Sequence, residues 1–243
     1  MMNNSMKKII VNDEVELSQV VSDLIVRQIE EKSDSVLGLA TGKSPERTYE
    51  KLVQYYKDDK VSFKAVKTFN LDEYVGVHVE SHESYHYFMA NHLFNHIDIK
   101  SENTHLPNPM MPLGACCEAY ETLLAQQPID LQLLGLGTNG HIGFNEPYVD
   151  FDLGVHVIEL SEQTRQDNLK YFQDHSEMPT HAVTMGIRNI MNAKKVILIV
   201  NNEKKKAAYD ALMSGVITSE WPVTALINHP DLTVVAVKSV VGN

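Results

Sequence analysis

The chain has 243 residues, more than a typical domain of ~150 residues but within the range of one α/β domain. Its 43% apolar and 22% charged residues match ordinary globular proteins and exclude disordered, collagenous and disulfide-dense classes. Lysine plus arginine number 21 against 32 aspartates and glutamates, a net charge of −11, which excludes a surface built to grip nucleic acid or anionic lipid, so an anionic ligand must meet a local cationic site.

The N-terminal stretch MMNNSMKKIIVNDEVEL has two lysines but no apolar run of signal-peptide length, and no segment approaches 18 apolar residues. The two cysteines, Cys116 and Cys117, are adjacent and would diverge in a helix, which argues against a structural disulfide. A cytoplasmic, reducing location is expected. Leu17, Val20, Val21, Leu24, Ile25 and Ile29 recur with helical spacing, and that helix should stop before residues 32–35. VLGLA (36–40) reads as the first strand and TGKSP as the loop after it, with Ser44 as N-cap and Pro45 as first residue of the next helix. VKTFNL (66–71) is a second strand running into DEYVG, and SYHYFMANHLF (84–94) is helical. A helix over roughly 115–126 precedes IDLQLLGLG (129–137), a leucine-rich strand without alternation, as a strand covered on both faces requires. VHVIEL (155–160) reads as a further strand, followed by a helix opening at Ser161 or Thr164. KVILIV (195–200) is the clearest strand, with a helix over about 203–213 behind it and strands at VTALI (223–227) and LTVVAV (232–237). Strands alternating with helices, without repeats or low-complexity linkers, predict one α/β domain over 1–243: a mainly parallel, doubly wound, Rossmann-like sheet with helices on both faces.

Ligands of such sheets bind beyond the carboxyl ends of the strands. Four polar clusters fall on that rim: TGKS, Asp72-Glu73, TNGHIGFNEP and the lysines 204–206. The glycine turn of TGKSP, with its hydroxyls and a helix N-terminus, suits a phosphate monoester, although a plain strand-to-helix turn explains the fragment equally well. An ATP P-loop is excluded, since three residues separate Gly38 from Gly42 where that motif needs four. Asp72 or Glu73 at a strand end can act as a general base if desolvated, or simply form a solvated turn. His141, with Asn139 two residues before and Glu146 five after, can shuttle protons near neutral pH with a carboxylate fixing its tautomer. Arg165 and Lys206, taken alone, are ordinary exposed charges. His82-Glu83-Ser84-Tyr85-His86 satisfies the H-E-x-x-H zinc pattern. Ser81 or Ser84 is the better N-cap for a helix beginning near Tyr85, which leaves His82 outside it, and no third ligand follows, so no metal is expected.

LGLATGKSPERTYEKL, FNLDEYVG, SYHYFM, LLGLGTNGHIGFNEP, TRQDNLKYF, AVTMGIRNIMNAKKVILIV and KKKAA, in this order over roughly residues 36–215, strongly resemble the glucosamine-6-phosphate deaminase family. The 6-phosphogluconolactonases share the fold and phosphate loop but lack FNEP. The resemblance implies conversion of an amino sugar phosphate and water to fructose 6-phosphate and ammonia, with no metal or organic cofactor. It implies that Asp72 moves the C2 proton to C1 and that His141, held by Asn139 and Glu146, opens the sugar ring. Thr41, Gly42, Lys43, Ser44, Arg165 and Lys206 would bind phosphate. Lys43 stands where many members carry a small residue, and Asn139 where others have aspartate, an exchange that would leave Glu146 as the ionic partner of His141. Residues 150–175 are a candidate lid. The short stretch after the last strand leads us to expect hyperbolic kinetics without response to N-acetylglucosamine 6-phosphate, in a monomer or small homo-oligomer whose partner is the small-molecule substrate rather than nucleic acid or membrane. Competing readings are a galactosamine-6-phosphate deaminase, a lactonase, and a sugar-phosphate sensor domain without chemistry.

Overall fold

The computed structural model describes residues 6–174 and 177–242. Its strands, in chain order, are β1 (Lys7–Val11), β2 (Val36–Leu39), β3 (Lys67–Asn70), β4 (Asp72–Tyr74), β5 (Thr104–His105), β6 (Leu131–Gly135), β7 (His156–Glu159), β8 (His181–Thr184), β9 (Lys195–Val200) and β10 (Leu232–Val237). Seven form one sheet in the order β1-β10-β9-β6-β2-β3-β5, with every neighbouring pair parallel. The helices α1 (Glu14–Glu31), α2 (Lys43–Lys57), α3 (Tyr85–His92), α4 (Leu113–Gln126), α5 (Glu162–Asn168), α6 (Ile187–Met191), α7 (Lys206–Met213) and α8 (Lys238–Val241) flank the sheets. Because β2, β9 and β10 are covered on both faces, their sequences VLGL, KVILIV and LTVVAV are apolar almost throughout. Leu198, Ile199, Val234 and Val235 are wholly buried. Truncating one such leucine to alanine costs about 2–5 kcal/mol.

The parallel, doubly wound sheet agrees with the sequence reading. From β2 the chain moves outward to β3 and β5, then returns to β6 on the other side and continues to β9 and β10. This reversal places a crevice beyond the carboxyl ends of β2 and β6, where the loops after these strands part.

Several expectations are corrected. A second sheet, β4-β8-β7, is antiparallel, and it takes the 155–160 segment away from the main sheet. Its own small core includes Tyr74, Phe144, Leu160 and Phe172. KKIIV (7–11) is an edge strand that sequence reading passed over because three of its five residues are exposed or charged. VTALI is not a strand: Pro222–Asn228 forms a 3-10 helix. Thr224 ties it into a turn by bonding the carbonyls of Thr218 and Trp221, and β10 already has β9 and β1 on its two sides. The helix after β2 begins at Lys43 with Gly42 as its N-cap, so Ser44 is not the cap and Pro45 is the third helical residue. Proline costs nothing there, because a first-turn N–H has no intrahelical partner. Ser84 caps α3 and Ser161 caps α5, as the sequence suggested. Among the described residues no helix is long and apolar enough to cross a membrane, and Cys116 and Cys117 are free.

Candidate active site

The loops after β2, β3, β6 and β9 meet around a cavity of about 310 Å³. Thr41, Gly42, Lys43, Ser44, Asp72, His141 and Lys205 all line it. Gly42 adopts φ 86°, a left-handed conformation that glycine tolerates best. It turns the chain so that the first amides of α2 face the cavity mouth with the positive end of the helix dipole.

Asp72 is placed by the small sheet. The chain leaves β3, switches sheets at Leu71, and pairs Asp72 directly with Thr184 across β4 and β8. Only 5% of Asp72 is exposed. Burial, then the neighbouring charge of Glu73, holds its carboxyl well above the usual carboxylate range, against one hydrogen bond from Thr184. That hydroxyl also accepts the amide of Phe144 at 3.1 Å, which links Asp72 to the GHIGFNEP loop. Thr184 was not singled out by sequence reading, since only the register of the antiparallel pair exposes its part. Gly143 packs here too: a side-chain carbon on it would come within 3.1 Å of the Thr184 hydroxyl and 3.6 Å of the Asp72 carboxylate.

His141 lies over Gly137, where an added Cβ would fall 2.3 Å from the imidazole, so a glycine is required for the ring to lie flat on the backbone. The imidazole Nδ1 is 2.7 Å from Asn139 Oδ1. An amide oxygen only accepts, so Nδ1 carries the proton and Nε2 is a free base. Asn139 Nδ2 donates in turn to Glu146 Oε2 at 2.9 Å, and Glu146 Oε1 accepts the Ser161 amide at 3.1 Å. Glu146 stands 3.9 Å from Nδ1. Glu146 is thus within ion-pair reach of the imidazole, as the resemblance implied, while the Asn139 amide makes the shorter contact to each of them. Burial holds the His141 pKa below its ordinary value, with Lys205 adding to the effect and Glu146 and Asp167 opposing it. A neutral ring at physiological pH suits a group that must both take and give a proton.

The cationic end differs from the expected set. Lys205, not Lys206, reaches the cavity: its Nζ donates to Ser44 Oγ at 2.9 Å and Asn201 Oδ1 at 2.7 Å. Burial pushes its pKa down to about 8. Lys206 points away and pairs with Asp210 at 3.0 Å. Three successive lysines differ only by their angle around a helix start, which sequence alone does not fix. Arg165 does not line the cavity, whereas Lys170, five residues on, does. Lys43 contributes backbone while its side chain, 66% exposed, reaches Glu46 at 2.6 Å.

The residues of the H-E-x-x-H pattern do not converge on one point. His82 is outside α3 and stacks on Tyr87, His86 faces Glu73, and no group of three potential ligands occurs among the described residues.

The profile of the glucosamine-6-phosphate isomerases/6-phosphogluconolactonase family matches residues 12–235. A glucosamine-6-phosphate deaminase of Lysinibacillus sphaericus is 50% identical over 95% of this chain and 98% of its own length. One from Shouchella clausii is 46% identical over 91% and 90%. Among solved structures, a monomeric glucosamine-6-phosphate deaminase superposes with a TM-score of 0.95 at 40% identity, covering 97% of this chain and 99% of its own. A 6-phosphogluconolactonase from Thermotoga maritima, at 20% identity and TM-score 0.76, covers 96% of this chain and 100% of its own and shares the fold.

Proposed function

The chain belongs to the family of glucosamine-6-phosphate isomerases and 6-phosphogluconolactonases, and from that premise we propose that its cavity converts glucosamine 6-phosphate and water to fructose 6-phosphate and ammonia. The observation that carries this reading is the shared cavity. A desolvated carboxylate, a neutral imidazole with a free Nε2, and a helix N-terminus with a buried lysine all open onto it.

The amides of residues 42–44, the Ser44 hydroxyl, Lys205 and Lys170 would hold the phosphate, giving an acidic protein the local cationic cradle its substrate needs. His141 Nε2 takes the proton from the C1 hydroxyl and returns it to the ring oxygen, which opens the pyranose. Asn139 keeps the tautomer and Glu146 orients Asn139. Asp72 then removes the C2 proton and delivers it to C1, passing through an enolamine. The resulting C2 imine adds water and expels ammonia. A carboxylate that burial has made reluctant to stay charged is a stronger base for this carbon-bound proton than a solvated one. Residues 150–175, of which 175 lies outside the described residues, would serve as the lid that excludes water during this step, since the part through residue 174 carries α5 and brings Lys170 and Tyr171 to the cavity. The likeness to a monomeric deaminase supports a monomer with hyperbolic kinetics.

A coupled assay tests the reading. Glucosamine 6-phosphate, with chelator present and no added metal, should yield ammonia and fructose 6-phosphate in equal amounts. Turnover of 6-phosphogluconolactone instead would overturn it.

A further inference from the structure

Glu73 adjoins the proposed base but has no part in the chemistry above. Alternation along β4 sends Asp72 to the cavity and Glu73 to the other side, where it is wholly buried. Its Oε1 accepts the amides of Tyr74 and Tyr85, both at 2.9 Å. Its Oε2 accepts the amide of His86 at 3.0 Å and stands 2.8 Å from His86 Nδ1. Four N–H groups thus hold a charge that would otherwise be costly to bury. Two of these are the first amides of α3, which the Ser84 hydroxyl, taken up by the Tyr87 amide at 3.0 Å, leaves without a partner, so Glu73 also caps the helix.

Around Asp72 stand Glu73 and Tyr74 on its own strand, Tyr85 from α3, Tyr120 from α4, Thr184 from β8, and His141 on the shared cavity. Burial keeps the three tyrosines neutral and His141 is neutral as well, so Glu73 is the anion of this set. We infer that Glu73, with His86 behind it, is a positioning residue that makes Asp72 a stronger base: the fixed charge of Glu73 favours Asp72 in its proton-holding form, and the His86 ring N–H moderates that charge. This rests on Asp72 being the base. It adds that the base is tuned by a second carboxylate outside the cavity, in a Glu73–His86 pair separate from the His141, Asn139 and Glu146 relay.

The test reads Asp72 directly. In full-length protein labelled with carboxyl-13C aspartate, the Asp72 resonance is identified by its loss in Asp72→Asn and titrated in each variant. Glu73→Gln should lower the Asp72 midpoint by about one pH unit. Glu73→Asp should restore it toward wild type, and His86→Leu, which leaves Glu73 less compensated, should move it the opposite way. The pH at which kcat/KM falls on the acid side should follow the same order. If the Asp72 midpoint stays at the wild-type value in Glu73→Gln and His86→Leu, the inference is wrong and the carboxylate is a fold element only. Should Glu73→Gln fail to fold, His86→Leu and Glu73→Asp decide alone. An active Asp72→Asn would instead overturn the assignment of the base, a separate failure.

Discussion

Two aspartates, Asp72 and Asp130, are buried at opposite ends of the same fold, and they do opposite things. Asp130 precedes β6 at the amino end of the sheet. It accepts from Lys32 at 2.6 Å, Lys194 at 2.8 Å and the Val36 amide at 2.9 Å. Burial raises its pKa, but the hydrogen bonds from Lys194, Lys32 and Val36 outweigh that and leave it below the ordinary range. Asp72, at the carboxyl end, has one hydroxyl and a neighbouring anion, and its pKa goes the other way. Low exposure therefore does not by itself fix the chemistry. The partners decide whether a carboxylate holds β2, β6 and the chain after α1 together or, as proposed for Asp72, is held ready to take up a proton.

The largest expected effect separates the two outright. Asp72→Asn should lower kcat by about 10²–10⁴-fold, while substrate still protects the protein in a thermal-shift assay. Wild-type ammonia release from that variant breaks the comparison at once. Next, His141→Gln should slow the cyclic sugar about a hundredfold and an open-chain analogue less, since only ring opening needs the imidazole. Equal loss on both removes His141 from that step. At the phosphate end, Lys205→Met should raise KM about tenfold or more, whereas Lys206→Met should leave it within about twofold, as steady-state kinetics would read.

Stability sharpens the comparison further. Asp130's depressed pKa contributes stability that is present above the ordinary carboxylate value of ~3.9 and disappears as pH falls through the folded-state value. Asp130→Asn should therefore cost about 2 kcal/mol near neutrality and progressively less below about pH 4, with turnover per folded molecule unchanged. The sign reverses for Asp72. A raised pKa opposes folding wherever the group is charged, so the penalty is absent below the ordinary range and full above the raised value. By denaturant melts at pH 8, Asp72→Asn should be as stable as wild type or more so. A variant both inactive and clearly less stable would point to a structural role.

The sequence made the main sheet legible because buried parallel strands are continuous apolar runs, as in KVILIV and LTVVAV, and the loops after them carried the polar residues. It did not reveal β4 and β8, nor that the strand read at 155–160 joins them as β7 in a second sheet, because these short, mixed segments owe their pairing to contacts more than a hundred residues apart in the case of Asp72 and Thr184. Asp72, His141, Asn139 and the 41–44 loop could be located because each sits in a glycine-marked or strand-end position. The choice of Lys205 over Lys206, and the cavity-lining place of Lys170 rather than Arg165, depended on helix phase. That Asn139 contacts both His141 and Glu146 required side-chain geometry, although an asparagine two residues before the loop histidine already signalled a hydrogen-bonding rather than an ionic contact from that position.

The fate of the C2 proton reports on the proposed role of Asp72 without an intermediate step. With glucosamine 6-phosphate deuterated at C2, a primary isotope effect on kcat is expected, with part of the deuterium recovered at C1 of fructose 6-phosphate. Both features should vanish together with turnover in Asp72→Asn. Deuterium transfer that persists at the wild-type rate without the Asp72 carboxylate would contradict that role.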